Sequence, residues 1–200
     1  LGADNLNGGK LLHLDGGGRF NPIHLMRHDG NDAGSDLFRR QRWGDRDPYF
    51  RGADDIIIFP LQCSTQWDAL SHVFFEGKMY NGFDAGFVTS GGAYKNDVAV
   101  AKDRTVGRGV LLDIPRVKGL PYLEPGYAIT RADLEQACDA GSVSVGTGDF
   151  VLVRTGHIAY TRERGDWGDY AGGNAPGLGL DSVSWVSDHQ VAAVATDTWG

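Results

Sequence analysis

Four short apolar runs, set far apart in an otherwise polar and glycine-rich chain, limit what this sequence can fold into. They are residues 56–61, 109–114, 150–154 and 191–195. None approaches the ~18 residues that a membrane-spanning helix needs. Their continuous, β-branched character predicts strands covered on both faces. Helix signals lie between them. Thr130-Arg131-Ala132-Asp133 reads as a capping box opening a helix through Cys138 and stopped by Gly141. Asp181 is placed to cap a second helix from Ser182 to about His189, with Val183 and Val186 turned inward. Strands alternating with helices predict an α/β layer fold. One domain over residues 1–200 is expected, with residues 1–50 as an irregular N-terminal part relieved only by the apolar piece 22–26.

Charge and cysteine usage narrow the classes of function. The formal net charge is −7, and the densest basic cluster, Arg39, Arg40, Arg42 and Arg46, is interrupted by Asp45 and preceded by Asp36. No basic stripe exists to offset phosphates, so neither nucleic acid nor an anionic membrane is an expected partner. Cys63 and Cys138 have no metal-type spacing and are expected as reduced thiols, which points to a cytoplasmic protein. Glycine pairs and triplets mark turns. The opening Leu1 and a close at Gly200 directly after a strand suggest a fragment, incomplete at both ends.

The segment Gln62-Cys63-Ser64-Thr65-Gln66-Trp67-Asp68-Ala69-Leu70-Ser71-His72 follows the first apolar run. Extended backbone would set Gln62, Ser64, Gln66 and Asp68 on one face, with Cys63, Thr65 and Trp67 on the other. Burying four polar groups in a row is costly without a purpose. A helix starting at Asp68 would be capped by its carboxylate, with His72 one turn later near the same point.

Here the chain resembles the kynurenine formamidase-like cyclase family of metal-dependent hydrolases, whose motif is His-x-Gly-Thr-His-x-Asp-x-Pro-x-His. The alignment needs no gap. Gln62 takes the first His position and Gln66 the second, Ser64 the Gly, Thr65 the Thr, Asp68 the Asp, Leu70 the Pro, and His72 the last His. Further segments that look like this family are residues 21–26, 107–113, 148–156 and 176–179, and residues 191–198 are similar to its late strand ending in Asp-Thr.

The resemblance implies a mixed-sheet swivelling β/β/α fold, a tendency to form homo-oligomers, and hydrolysis of a small-molecule amide, arylformamidase-like, as in tryptophan catabolism. It implies metal ligation at Asp68, Gln62 and Gln66, and His72 as catalytic acid and base. Two glutamine amides in place of two imidazoles should weaken zinc binding and favour a harder divalent ion, so Mn, Zn or Mg are the candidate cofactors. The family's second-metal ligands, a His and a Glu, follow the Asp-Thr strand, beyond this sequence. Trp67 or Tyr80 could stack on an aromatic substrate. A non-catalytic binding or scaffold member that has lost its ligands is the alternative.

Plainer roles stand beside these. Gln62 and Gln66 can be hydrogen-bonding residues at a sheet edge, Asp68 a helix cap, and His72 a structural histidine. His24 and His28, spaced for one helix face, lack the glutamate of a metalloprotease helix. Cys63 reads as a small buried hydrophobe. Gly107-Arg108-Gly109 precedes its strand, unlike a dinucleotide loop. His157, His189, Trp167, Trp185 and Trp199 read as packing or surface residues.

Overall fold

The computed structural model describes Phe20 and residues 22–33, 52–63, 65–165, 167–170 and 172–199. The chain divides into two compact units, Leu1–Gln66 and Trp67–Gly200. Among the described residues, no helix is long and apolar enough to cross a membrane.

The first unit holds an antiparallel ribbon of β1 (Ile23–His28) and β2 (Asp54–Ile58), with a short helix, α1 (Gly30–Ala33), after β1. Ile23 pairs with Ile58 and Leu25 with Ile56, which sets four branched or long apolar side chains on one face. A bulge between Met26 and His28 shifts the register. The second strand ends earlier than the apolar run suggests. Pro60 has no N–H to give a ladder, and the chain turns at once into a 3-10 turn, Leu61–Cys63. His24 and His28 lie on β1 rather than on a helix, and the His24 ring contacts Asp55 at 2.8 Å.

The second unit is built on three parallel strands, β5 (Gly109–Asp113), β7 (Phe150–Arg154) and β9 (Ala193–Thr196), in the order β5-β7-β9. Parallel neighbours need long crossovers. These carry α2 (Ile114–Val117), α3 (Arg131–Gly141), α4 (His157–Arg164) and α5 (Ser182–Asp188). Small ladders complete the unit: β3 (Val88–Thr89) pairs with β4 (Gly92–Ala93), and β6 (Ala128–Ile129) with β8 (Gly177–Leu178).

One face of the main sheet makes the core. Val110, Leu112, Val151 and Val153 pack with Ile114, Leu123, Ile129, Leu134 and Trp185, which is 1% exposed. The opposite face stays open, with Leu111 60% and Leu152 41% exposed. The expectation of strands covered on both faces therefore fails in the described residues; the side chains alternate between buried and exposed, as for a sheet covered on one side.

The α3 helix starts as the sequence predicts. Asp133 N–H donates to Thr130 Oγ1 at 3.2 Å, and Thr130 N–H donates to Asp133 Oδ2 at 2.9 Å. The buried Asp133 also accepts from Tyr127 Oη and pairs with Lys118 Nζ at 2.6 Å. Burial alone would raise the Asp133 pKa. The Lys118 ammonium, the Thr130 donors and Tyr127 outweigh burial and hold the carboxyl below its ordinary range. Asp181, by contrast, does not cap α5. Its carboxylate accepts from Arg131 N–H of α3, and Val183 points outward at 58% exposure while Ser182 and Trp185 fill the inward positions.

Candidate active site

The motif segment is divided between the units. Gln62 stands half-buried in the 3-10 turn Leu61–Cys63 of the first unit, and Gln66 is exposed at that unit's end. The turn breaks the alternation expected of an extended segment. A common face for Gln62, Ser64, Gln66 and Asp68 therefore does not follow from strand geometry, and Ser64 lies outside the described residues. The Cys63 side chain also lies outside them.

Asp68 and His72 come together within the second unit, by a different route from the helix the spacing suggests. The chain is irregular through Asp68, then turns at Leu70–Ser71, closed by His72 N–H donating to the Ala69 carbonyl at 2.9 Å. Leu70, in the family's proline position, sits in that turn. The turn returns His72 Nε2 to 3.7 Å from Asp68 Oδ2, with the two side chains 37% and 39% exposed. This separation exceeds a hydrogen bond, so the pair is an electrostatic one, open to solvent. Trp67 and Tyr80 are both exposed in this unit, and Asn96 Nδ2 holds the Tyr80 carbonyl at 2.8 Å.

A second constellation lies at the carboxyl ends of the parallel strands, where open α/β sheets place their functional loops. It is formed by residues 155–157 and 197, at the ends of segments 148–156 and 191–198 that resemble the family. Asp197, just past β9, accepts from Thr155 N–H at 2.6 Å and Thr155 Oγ1 at 2.7 Å through one oxygen. Its other oxygen accepts from Gly156 N–H at 2.9 Å. The carboxylate thus satisfies donors at the start of α4, where the helix dipole also favours a negative charge. Gly156 has φ +80°, and a Cβ there would lie 2.7 Å from Tyr122 Cα. Glycine is required on both counts. The legible signal was a Thr-Gly after a buried strand combined with a late Asp-Thr.

His157 opens α4, 3% exposed, with its ring stacked on Tyr170 at 5.0 Å and Tyr160 at 5.8 Å. Its Nδ1 is buried without a hydrogen-bond partner. Burial pushes the imidazole below its usual pKa, against the opposing pull of Asp197 and Asp169. Burial likewise pushes the Tyr170 hydroxyl up to about 12, with Asp197 adding to the effect. These groups are held neutral, as packing elements.

The sequence matches the Cyclase family model over residues 25–200. The chain belongs to the cyclase family. A crystal structure described as a novel cyclase superposes with a TM-score of 0.70 at 36% identity, covering 90% of this cyclase-family chain and 58% of that one. The structure of an isatin hydrolase bound to the product analogue thioisatinate gives a TM-score of 0.46 at 20% identity, covering 76% of this chain and 51% of that one. The chain thus spans little more than half the length of both solved structures. No curated protein matches it.

The α/β architecture with parallel and antiparallel ladders agrees with membership of this family. Among the described residues, no three His, Cys, Asp or Glu side chains converge on a point that could hold a metal ion.

Proposed function

We propose that this cyclase-family chain carries the acid/base machinery of a metal-dependent hydrolase acting on an amide bond of an N-formyl aromatic or cyclic amide, as arylformamidases do. The supporting observation is the Asp68–His72 pair, two motif residues that a tight turn brings within 3.7 Å. His72 takes a proton from the attacking water and returns it to the departing nitrogen. The Asp68 carboxylate lies beside the ring, 3.7 Å from Nε2.

By their places in the family's motif, Asp68, Gln62 and Gln66 are the residues proposed to ligate a divalent ion, Mn²⁺ or Mg²⁺ in preference to Zn²⁺. When bound, it would polarise the substrate carbonyl. Trp67 and Tyr80 present exposed rings for an aromatic substrate to stack on. Tryptophan catabolism and a cytoplasmic setting belong to the same proposal.

The test is hydrolysis of N-formyl-aromatic and cyclic amides with each metal added. Turnover should be metal-stimulated and should fall by about 10²–10⁴ in His72→Ala. Turnover that persists unchanged in that variant sinks the assignment. A second reading is motivated by the two glutamines at the family's histidine positions, Gln62 and Gln66: a non-catalytic binding or scaffold member. Elemental analysis separates the two, since stoichiometric metal that is lost in Asp68→Ala rules out the scaffold.

A further inference from the structure

We propose that His157 is a proton-operated latch: when its buried ring takes up a proton, the turn Trp167–Tyr170 lifts off α4. The ring is 3% exposed and stacks against two tyrosines, Tyr160 at 23° and Tyr170 at 22° to its plane. Tyr160 belongs to α4 itself. Tyr170 arrives on a separate turn, which also brings Trp167 edge-on to it at 5.1 Å. His157 Nδ1 and Trp167 Nε1 are both buried without a hydrogen-bond partner. The charges that act on the imidazole are Asp197, from the end of β9, and Asp169, from the turn. Arg164 of α4 lies over the Tyr160 ring at 5.4 Å and 3.8 Å from Asp169, and Tyr122 meets Tyr160 edge-on.

A neutral imidazole tolerates this setting, because with its proton on Nε2 the buried Nδ1 is only an idle acceptor. A second proton makes Nδ1 a donor on a charged ring with no acceptor in place, a costly form for a buried group. Asp197 attracts that charge, but its oxygens are engaged by Thr155 and Gly156. Water must reach the ring, and the cover held least firmly gives way. Tyr160 is fixed by its helix, its N–H donating to the Gly156 carbonyl at 2.9 Å. The turn's polar ties are weaker: the Tyr170 hydroxyl donates to the Asp197 carbonyl at 3.4 Å, and the Arg164–Asp169 pair is exposed. Gly168 within it, at φ +48°, has no β-carbon to resist a change of conformation. Burial keeps the closed ring's pKa below the ordinary value of 6.5, so opening takes up a proton. The open turn then gains on the closed one by up to about tenfold per pH unit below that value. The latch goes beyond the catalytic reading and does not depend on it.

Native-state hydrogen exchange on the intact protein, corrected for intrinsic rates, tests the latch. The amides of Tyr170 and Gly173, bonded to the Trp167 and Asp169 carbonyls, report on the turn. They should lose protection severalfold, up to about tenfold, between about pH 6.5 and 5.5. Low urea should leave their exchange unchanged, as for a local opening. Exchange that urea accelerates as much as it does that of α3 is global unfolding and overturns the proposal. Protection that stays flat, or falls only in the carboxylate range near about pH 4, overturns it too. His157→Phe keeps a ring without the proton and should abolish the pH dependence with an unchanged circular dichroism spectrum; a dependence that survives overturns the latch. Should that variant not fold, the imidazole resonances of the unsubstituted protein replace it. His157 should bind its proton over the range in which protection falls, and titration outside that range overturns the latch.

Discussion

Replacing Asp197 by Ala should be among the most destabilising single changes in the second unit. The carboxylate accepts from two main-chain donors, Thr155 N–H and Gly156 N–H, and from the Thr155 hydroxyl, at 2.6, 2.9 and 2.7 Å. Thr155 is fully buried and Asp197 partly so, so water can take the lost acceptor's place only in part. Each stranded donor costs about 1–3 kcal/mol, and because the three bonds share one acceptor their sum is not additive. A loss of about 3–5 kcal/mol follows, a large part of the ~5–15 kcal/mol that stabilises a typical domain. In urea this lowers the unfolding midpoint by roughly 1–5 M. Asp197→Asn should cost less, about 2 kcal/mol, because its amide keeps one oxygen but points an N–H at another donor. Thr155→Val removes only the hydroxyl. In a double-mutant cycle the Thr155 and Asp197 substitutions should couple by about 1 kcal/mol or more. An Asp197→Ala protein that unfolds within about 1 kcal/mol of the unsubstituted chain would refute the clamp.

Other consequences can be measured on the same footing. Gly156→Ala should destabilise by more than about 2 kcal/mol, because the new methyl meets the Tyr122 backbone and the residue must hold a left-handed conformation; a wild-type melting temperature would contradict this. Asp133→Ala, which removes the reciprocal cap of α3 and the partner of the partly exposed Lys118 ammonium, should cost about 1–3 kcal/mol at neutral pH. Because the Asp133 pKa is depressed in the fold, that contribution is complete above the ordinary value of 3.8 and is lost as the pH falls below it, so acid should narrow the gap between variant and parent. His157 behaves as a base held neutral by burial, so the unfolded chain takes up its proton first. Stability should therefore be level above the ordinary value of 6.5 and decline as the pH drops below it. Denaturation of His157→Phe at stepped pH should show that slope flattened, and an unchanged slope would assign it to another group.

The parts of the fold that could be read from sequence are those where local chemistry and tertiary packing agree. β7 runs from Phe150 to Arg154 as the apolar run predicts, and the Thr130–Asp133 box opens α3 because both reciprocal bonds lie within four residues. Where a partner from elsewhere decides the outcome, the local reading fails. Asp181 has the right identity for a cap, but Arg131 N–H takes its carboxylate. The α4 helix gave no signal at all. Its cap is Gly156, its exposed last turn is Arg162, Glu163 and Arg164, and the acceptor that its first turn needs is Asp197, some forty residues away.

The same distinction governs the motif. Its family could be recognised because residue order survives substitution, and the match over residues 25–200 agrees. Its geometry could not be read from spacing, because two turns that spacing does not encode replace the expected strand and helix. Pro60 stops β2 before Gln62, so the glutamines begin in a turn rather than on a strand face. The Ala69–His72 turn then brings an imidazole to a carboxylate four residues away without a helix. Four-residue spacing predicted the encounter of Asp68 with His72 for the wrong structural reason. The physical requirement is only that the chain reverse once between them, and a tight turn does this as well as one helical turn. A side-chain pair held by a solvent-exposed turn is more adaptable than one fixed on a helix. Substitutions that stiffen the turn should therefore alter the proposed hydrolysis while leaving global stability alone. Leu70→Pro restores the family's residue and fixes that position's backbone at φ near −65°. It should raise turnover without moving the urea midpoint, and a fall in turnover at unchanged stability would show that the turn must flex for His72 to work.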